Sequence, residues 1–165
     1  MRWLPTLTAL LPAVLALAAC TTAARETPRP DYYVMRHLQK EAGQDPGLSA
    51  EGRHAAERLA DLLRGDPPSA IYVSNTRRAH ETAAPLAASL HIAVKEYPAT
   101  DLDGLVGRVR AEPGTVLIVG HSNTVPEIVA RLGGTSPGPI ADDRFGDVWH
   151  VWGSPPRTEA LRVAP

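Results

Sequence analysis

Apolar residues recur along this chain with two alternating periods. Short apolar runs occur at Tyr32-Tyr33-Val34-Met35, Ala70-Ile71-Tyr72-Val73, Ile92 to Tyr97 and Thr115-Val116-Leu117-Ile118-Val119. Each has the length of a buried strand and is bounded by polar or turn-forming residues. The last is the most uniformly apolar, which predicts a central strand covered on both faces. Between the runs, apolar residues fall at helical spacing: Ala55, Ala56, Leu59, Leu62 and Leu63; then Ala79, Thr82, Ala83, Leu86 and Leu90; and later Val125, Ile128, Val129 and Leu132. A short helix is expected over 101–110. Ser49 is placed to cap the first helix, and Gly65 with Pro67-Pro68 to stop it. Pro85 lies inside the second and predicts a kink or an early end. Ser122, Asn123 and Thr124 are capping candidates for the last helix, Pro126 suits its first turn, and Gly133-Gly134 end it. Two further strands, over 148–152 and 160–163, are expected at a sheet edge. This alternation predicts an α/β three-layer sandwich, with a mainly parallel central sheet and helices on both faces. In such sheets ligands bind beyond the carboxyl ends of the strands.

The first thirty residues do not share this pattern. Arg2 is followed by a charge-free run from Trp3 to Ala19, rich in Leu and broken by Pro5 and Pro12. It is short for a membrane span and suits a secretory signal peptide. It ends in Leu17-Ala18-Ala19-Cys20, which resembles the lipobox of bacterial lipoproteins, in which the Cys becomes the acylated N-terminus. The expected organisation is a signal peptide over 1–19, a lipidated Cys20 with a Pro-containing tether over 20–30, and a folded domain over 31–165. The resemblance implies export and a lipid anchor in a bacterial membrane. Thr21, where an Asp would mark inner-membrane retention, points to the periplasmic face of the outer membrane.

Composition narrows the function. The 165 residues are one domain's worth of chain. Seventeen Lys and Arg against 18 Asp and Glu give a net charge of −1, without the basic excess of a nucleic-acid binder. With 44% hydrophobic and 21% charged residues the chain is of globular type. A single Cys excludes an internal disulfide and a multi-Cys zinc cluster. No His-x-x-x-His or carboxylate cluster appears, so metal binding is not expected.

The candidate chemistry sits at three strand ends. The first strand ends in Arg36-His37, the second in Ser74-Asn75 followed by Thr76-Arg77-Arg78, and the central one in Gly120-His121-Ser122. The predicted topology brings two imidazoles and at least one guanidinium to one edge of the sheet. Guanidinium forks match phosphate oxygens. A neutral imidazole can attack phosphorus, and a second can hydrogen-bond the transferring group. No nucleotide-binding glycine signature is present.

Four segments in order resemble the histidine phosphatase superfamily, the phosphoglycerate-mutase-like fold. They are Met35-Arg36-His37-Leu38, with Leu in place of the usual Gly; Leu48-Ser49-Ala50-Glu51-Gly52; Ser74-Asn75-Thr76-Arg77-Arg78-Ala79-His80-Glu81-Thr82-Ala83; and Gly120-His121-Ser122-Asn123-Thr124-Val125-Pro126. The resemblance spans nearly all of 31–165. It implies that His37 is the nucleophile and becomes a phosphohistidine. Arg36 and Arg78 bind the phosphoryl oxygens, with Asn75 a further candidate ligand or a helix cap. His121 donates to the same group. No metal or other cofactor is implied. A carboxylic acid from the loop after the third strand would protonate the leaving group; Asp101 is chosen, Asp103 next. Arg77 is expected to face solvent, Lys40 to lie in a solvated loop, and His54, His80, His91 and His150 to be surface or core residues. The expected activity is metal-independent phosphomonoester hydrolysis in the cell envelope, on a phosphorylated small molecule or envelope glycan. The alternative is a degenerate copy of the fold that binds a phosphorylated envelope ligand. A mutase of this fold would be longer, with insertions closing over its substrate. The stretch from Gly133 to Arg144, with its Gly and Pro residues, is expected to be a mobile loop, and whether it orders over the site is left open by the sequence.

Overall fold

The computed structural model of the protein describes residues 31–164. The segments expected to be a signal peptide and tether, with Cys20, lie outside the described residues. Ten elements follow in order: β1 (Asp31–Arg36), α1 (Ala50–Leu62), β2 (Ala70–Ser74), α2 (Arg77–Leu90), β3 (Val94–Tyr97), α3 (Leu102–Arg110), β4 (Val116–Gly120), α4 (Val125–Arg131), β5 (Asp147–Trp152) and β6 (Arg157–Arg162). They build a six-stranded sheet in the order β3-β2-β4-β1-β5-β6. The β1–β4, β2–β4 and β2–β3 pairs are parallel, whereas β5 and β6 are antiparallel. The chain runs outward from β1 through β2 to β3, then returns through α3 to insert β4 between β1 and β2. That reversal sets β1, β4 and β2 side by side with their carboxyl ends on one edge.

The period-2 alternation of the strands divides the core in two. Tyr32, Val34, Tyr72, Val116 and Ile118 face α3 and α4, meeting Leu105, Val109, Ile128 and Val129. Tyr33, Met35, Ile71, Val73, Leu117 and Val119 face α1 and α2, meeting Ala55, Leu59, Ala83 and Leu86. The alanines on α1 and α2 let both helices lie close to the sheet. Each fully buried Leu, Ile or Val here contributes about 1.5–3 kcal/mol, so the sheet holds the site's backbone on its best-packed part. Among the described residues no helix is long and apolar enough to cross a membrane.

Local rules account for the element ends, with three departures. Ser49 caps α1, accepting from the Gly52 N–H, and a Cβ at Gly52 would stand 2.0 Å from the Gln39 carbonyl oxygen. That glycine therefore lets α1 cross directly over the segment that leaves β1. Leu62 departs from the expected apolar face: it is 37% exposed, while Leu63 at the cap is buried. The buried stripe runs through residues 52, 55, 56, 59 and 63, and Leu62 falls off its side. Pro85 does not end α2, which continues to Leu90. The proline sits half-buried, and burial of Ala79, Ala83, Leu86 and Ala87 on one face carries the helix through. β3 starts at Val94 rather than Ile92, because His91 takes a left-handed φ of 55° and the Ile92 N–H closes α2 on Ala87.

Candidate active site

The parallel register of β1 and β4 places Arg36 opposite Gly120. The two following residues are His37 and His121, and the His37 N–H donates to the Gly120 carbonyl at 2.9 Å. The imidazole centroids lie 5.4 Å apart with the rings at 64°. Gly120 has no room for a side chain: a Cβ would stand 2.8 Å from Thr124 Oγ1 and 3.0 Å from the Tyr97 hydroxyl. The His121 N–H donates to Thr124 Oγ1 at 2.9 Å, so the turn into α4 sets the His121 backbone. α2, entering from β2, brings Arg78 to the pair, with Nη2 3.5 Å from His121 Nδ1. Leu38, where the family pattern has Gly, turns its side chain into the core and donates its N–H to Thr82 Oγ1 at 3.0 Å.

Hydrogen bonding fixes the tautomer of each imidazole. His37 Nδ1 lies 2.8 Å from the Leu38 carbonyl oxygen. A carbonyl only accepts, so Nδ1 carries the proton and Nε2 keeps its lone pair. His121 Nδ1 faces a guanidinium nitrogen, which only donates, so His121 carries its proton on Nε2. One ring offers an electron pair and the other a hydrogen-bond donor. Both are held neutral. Burial pushes the His37 pKa down to about 3, with the Arg78, His121 and Arg36 charges adding to the effect and the Leu38 carbonyl opposing it. Burial, then Arg78 and Arg36, push His121 down to about 4.

Arg36 is 6% exposed. Its Nη1 donates to the carbonyls of Ala141, Asp142 and Arg144 at 2.9, 3.0 and 3.0 Å. The Phe145 ring covers the guanidinium at 4.1 Å and lies 6.0 Å from the His37 ring. Burial lowers the Arg36 pKa, opposed mainly by the Asp142 carboxylate. The Nε atoms of Arg36 and Arg78 are both buried without a hydrogen-bond partner. A buried cationic N–H left unpaired is costly, so two of them beside a pair of neutral imidazoles mark a place built for an anion. The Gly133–Arg144 loop is therefore part of the site, holding Arg36 through its main chain. Neither the carbonyls of this loop nor Phe145 was anticipated. Phe145 is the chain's only Phe, which was the one available signal.

The remaining sequence candidates fall elsewhere. Asn75 is exposed, its N–H donating to the Tyr97 carbonyl. Arg77 faces solvent and pairs with Glu81 at 2.7 Å. Lys40 is exposed and bridges to Leu48. The Asp101 carboxylate caps α3, accepting from the Gly104 N–H at 2.9 Å. It lines a cleft of about 260 Å³ with Asp103, Asn123 and Thr124, beside the β4–α4 turn. Asp103 is exposed and pairs with Arg131. His54 pairs with Glu57 and His80 with Glu96, both on the surface. His150 stacks between Tyr33 and Trp152, with centroids at 4.4 and 4.5 Å, while Trp149 is buried in the core. One expectation is corrected: carboxylates and a histidine do gather. Asp31, Asp66 and His150 bring their donor atoms within 4.8 Å of one another, near the start of β1, the end away from His37. They come from three distant segments, so no local motif announced them. His150 Nε2 already meets Asp31, and Asp66 accepts from the Tyr33 hydroxyl.

Residues 32–101 match the sequence profile of the histidine phosphatase superfamily (branch 1), a span that includes Arg36, His37 and Arg78 and ends before His121. No curated protein matches the sequence. Solved structures share the fold. A mycobacterial glucosyl-3-phosphoglycerate phosphatase complexed with VO3 is 20% identical, with TM-score 0.62, covering 82% of this chain and 100% of that one. The protein histidine phosphatase SixA complexed with tungstate is 18% identical, with TM-score 0.62, covering 79% and 94%. A protein described as mycobacterial hydrolase 1 is 16% identical, with TM-score 0.62, covering 82% and 99%. The profile match over 32–101 and the fold shared with these structures point the same way: the chain is similar to the histidine phosphatase superfamily.

Proposed function

We propose that this protein hydrolyses phosphomonoesters without a metal, through a phosphohistidine on His37. The observation that carries the proposal is the pair of unpartnered guanidinium Nε–H groups, Arg36 and Arg78, around two neutral imidazoles of complementary tautomer. Arg36 and Arg78 hold the phosphoryl oxygens. His37 Nε2 attacks phosphorus, and the bond from phosphorus to the leaving oxygen breaks. His121 Nε2–H donates to the phosphoryl group and offsets charge as it is transferred. The leaving oxygen takes its proton from a carboxylic acid, for which Asp101 remains the candidate; water then attacks phosphorus, giving a proton back to that carboxylate, and the P–N bond breaks to release phosphate and neutral His37. The low pKa of His37 keeps its lone pair free through neutral and acid pH. Complexes of fold neighbours with tungstate and VO3 support an oxyanion pocket. We further propose a phosphorylated small molecule or envelope glycan as substrate, and an envelope location through lipidation of Cys20; the location rests on the sequence before residue 31 alone.

One observation favours binding without turnover: the Asp101 carboxylate is engaged as the α3 cap, which leaves the leaving group without an obvious proton donor. Hydrolysis of p-nitrophenyl phosphate in the presence of a chelator, beside His37→Ala, separates the two readings. Chelator-resistant turnover lost in the variant is expected. Turnover that survives His37→Ala sinks the mechanism, and folded wild type that binds phosphate without turnover selects the binding reading.

A further inference from the structure

The segment between β1 and α1 is tied to α2 by two carboxylates that cross between them. Glu81, on α2, accepts from the Leu48 N–H at 2.6 Å. In the other direction, Asp45 reaches from the segment to α2, where its Oδ1 accepts from the Arg77 N–H at 3.1 Å. α2 needs that contact, because its own cap residue, Thr76, makes no side-chain capping hydrogen bond. The same Asp45 oxygen lies 3.5 Å from Arg78 Nη1. On its other side, Arg78 Nη2 lies 3.5 Å from His121 Nδ1, and its Nε is buried without a partner. Asp45 also holds a left-handed φ of 71°, a conformation that costs a residue with a side chain and that Asp and Asn tolerate better than most.

We propose that Asp45 is a positioning residue of this site: one carboxylate oxygen caps α2 and fixes the Arg78 guanidinium beside His121, leaving Arg78 Nε for the ligand. Arg78 has four bonds to rotate about before its fork is placed, and its side chain is 19% exposed. An anchor on Nη1 and a neighbour at Nη2 fix the plane of the guanidinium before any ligand arrives. Without the anchor, each binding event must immobilise the fork. The backbone of Asp45 serves the same end, since the left-handed turn brings the carboxylate to the α2 terminus from a segment 32 residues earlier. This inference rests on the reading of Arg78 as a phosphoryl ligand.

The test uses Asp45→Gly, which accepts the left-handed backbone and removes the carboxylate, and Asp45→Asn, which keeps the turn and a capping oxygen and removes the charge. Inorganic phosphate is the probe. Its affinity is measured by calorimetry, which needs no turnover, beside KM and kcat for p-nitrophenyl phosphate and the denaturant midpoint of each variant. Asp45→Gly is expected to weaken phosphate binding and raise KM roughly tenfold, with a smaller change in kcat. Asp45→Asn is expected to recover the denaturant midpoint, because Asn caps as well as Asp, while phosphate affinity stays several-fold below wild type. A purely structural role predicts that affinity recovers with stability. Wild-type affinity in Asp45→Gly, or full affinity in Asp45→Asn, overturns the proposal and leaves the phosphatase reading standing. Wild type that neither binds phosphate nor turns over p-nitrophenyl phosphate overturns both.

Discussion

Replacing His37 by Gln and measuring stability at two pH values isolates the consequence of burying an imidazole between two guanidinium groups. In the unfolded chain His37 titrates with its ordinary pKa of 6.5, and in the folded protein it is held down to about 3. The folded state therefore binds fewer protons than the unfolded one between these values, so stability falls as pH drops through 6.5 and the loss saturates only near pH 3. At pH 7 the unfolded imidazole is mostly neutral and the penalty is small. At pH 5 the unfolded group is protonated and the folded one is not, a gap of about 1.5 pH units worth about 2 kcal/mol. His37 is 3% exposed, so solvent does little to screen the effect. The assay is urea unfolding of wild type and His37→Gln at pH 7 and pH 5. Other titrating groups cancel in the double difference, as does any packing cost of Gln. Wild type is expected to lose about 2 kcal/mol more than the variant on acidification. A double difference near zero would mean that the ring is hydrated or charged in the folded protein, and it would remove the basis for a neutral nucleophile at acid pH.

Three further outcomes are expected. Asp101→Asn keeps the α3 cap, since Asn and Asp cap equally well; if Asp101 also protonates the leaving group, kcat falls on alkyl phosphates by about 10²-fold or more and hardly at all on p-nitrophenyl phosphate, and equal effects on both substrates remove Asp101 from the mechanism. Phe145→Ala uncovers the Arg36 guanidinium and removes a cation–π contact of about 0.5–2 kcal/mol; KM for p-nitrophenyl phosphate rises several-fold, Phe145→Tyr restores it, and an unchanged KM in Phe145→Ala refutes a role for the ring. Cys20→Ser releases the protein from the membrane fraction of bacterial cells and abolishes incorporation of a labelled fatty acid, whereas retention with label intact rules out Cys20 as the anchor.

What the sequence made legible was decided by the range of each interaction. The strands, the helices and their order rest on periodicity; the polar ends of the apolar runs pointed to Arg36, His37 and His121, and the resemblance to a family pattern selected Arg78 over Arg77. Parallel registers do the rest, because Arg36 opposite Gly120 follows once β1 and β4 are adjacent. The partners of those residues were not legible, since they come from far along the chain. Three main-chain carbonyls grip Arg36 from 105 to 108 residues away, and carbonyls leave no trace in residue identity. Asp45 reaches α2 through a turn that a non-glycine residue holds at positive φ, where a sequence reading sees only a loop.

The same contrast explains how a nearly neutral protein can house this site. Arg36 is buried and Arg78 partly buried beside neutral histidines, and their charge is met by the carboxylates of Asp45 and Asp142, both on loops. A net charge of −1 thus hides a local cationic pocket whose counter-charges stand at its rim. Each arginine gives part of its donor set to a fixed partner and keeps its buried Nε–H unpaired. The fold therefore meets the cost of orienting both guanidinium groups before a ligand arrives, and the anion gains the unpaired donors without having to immobilise the side chains.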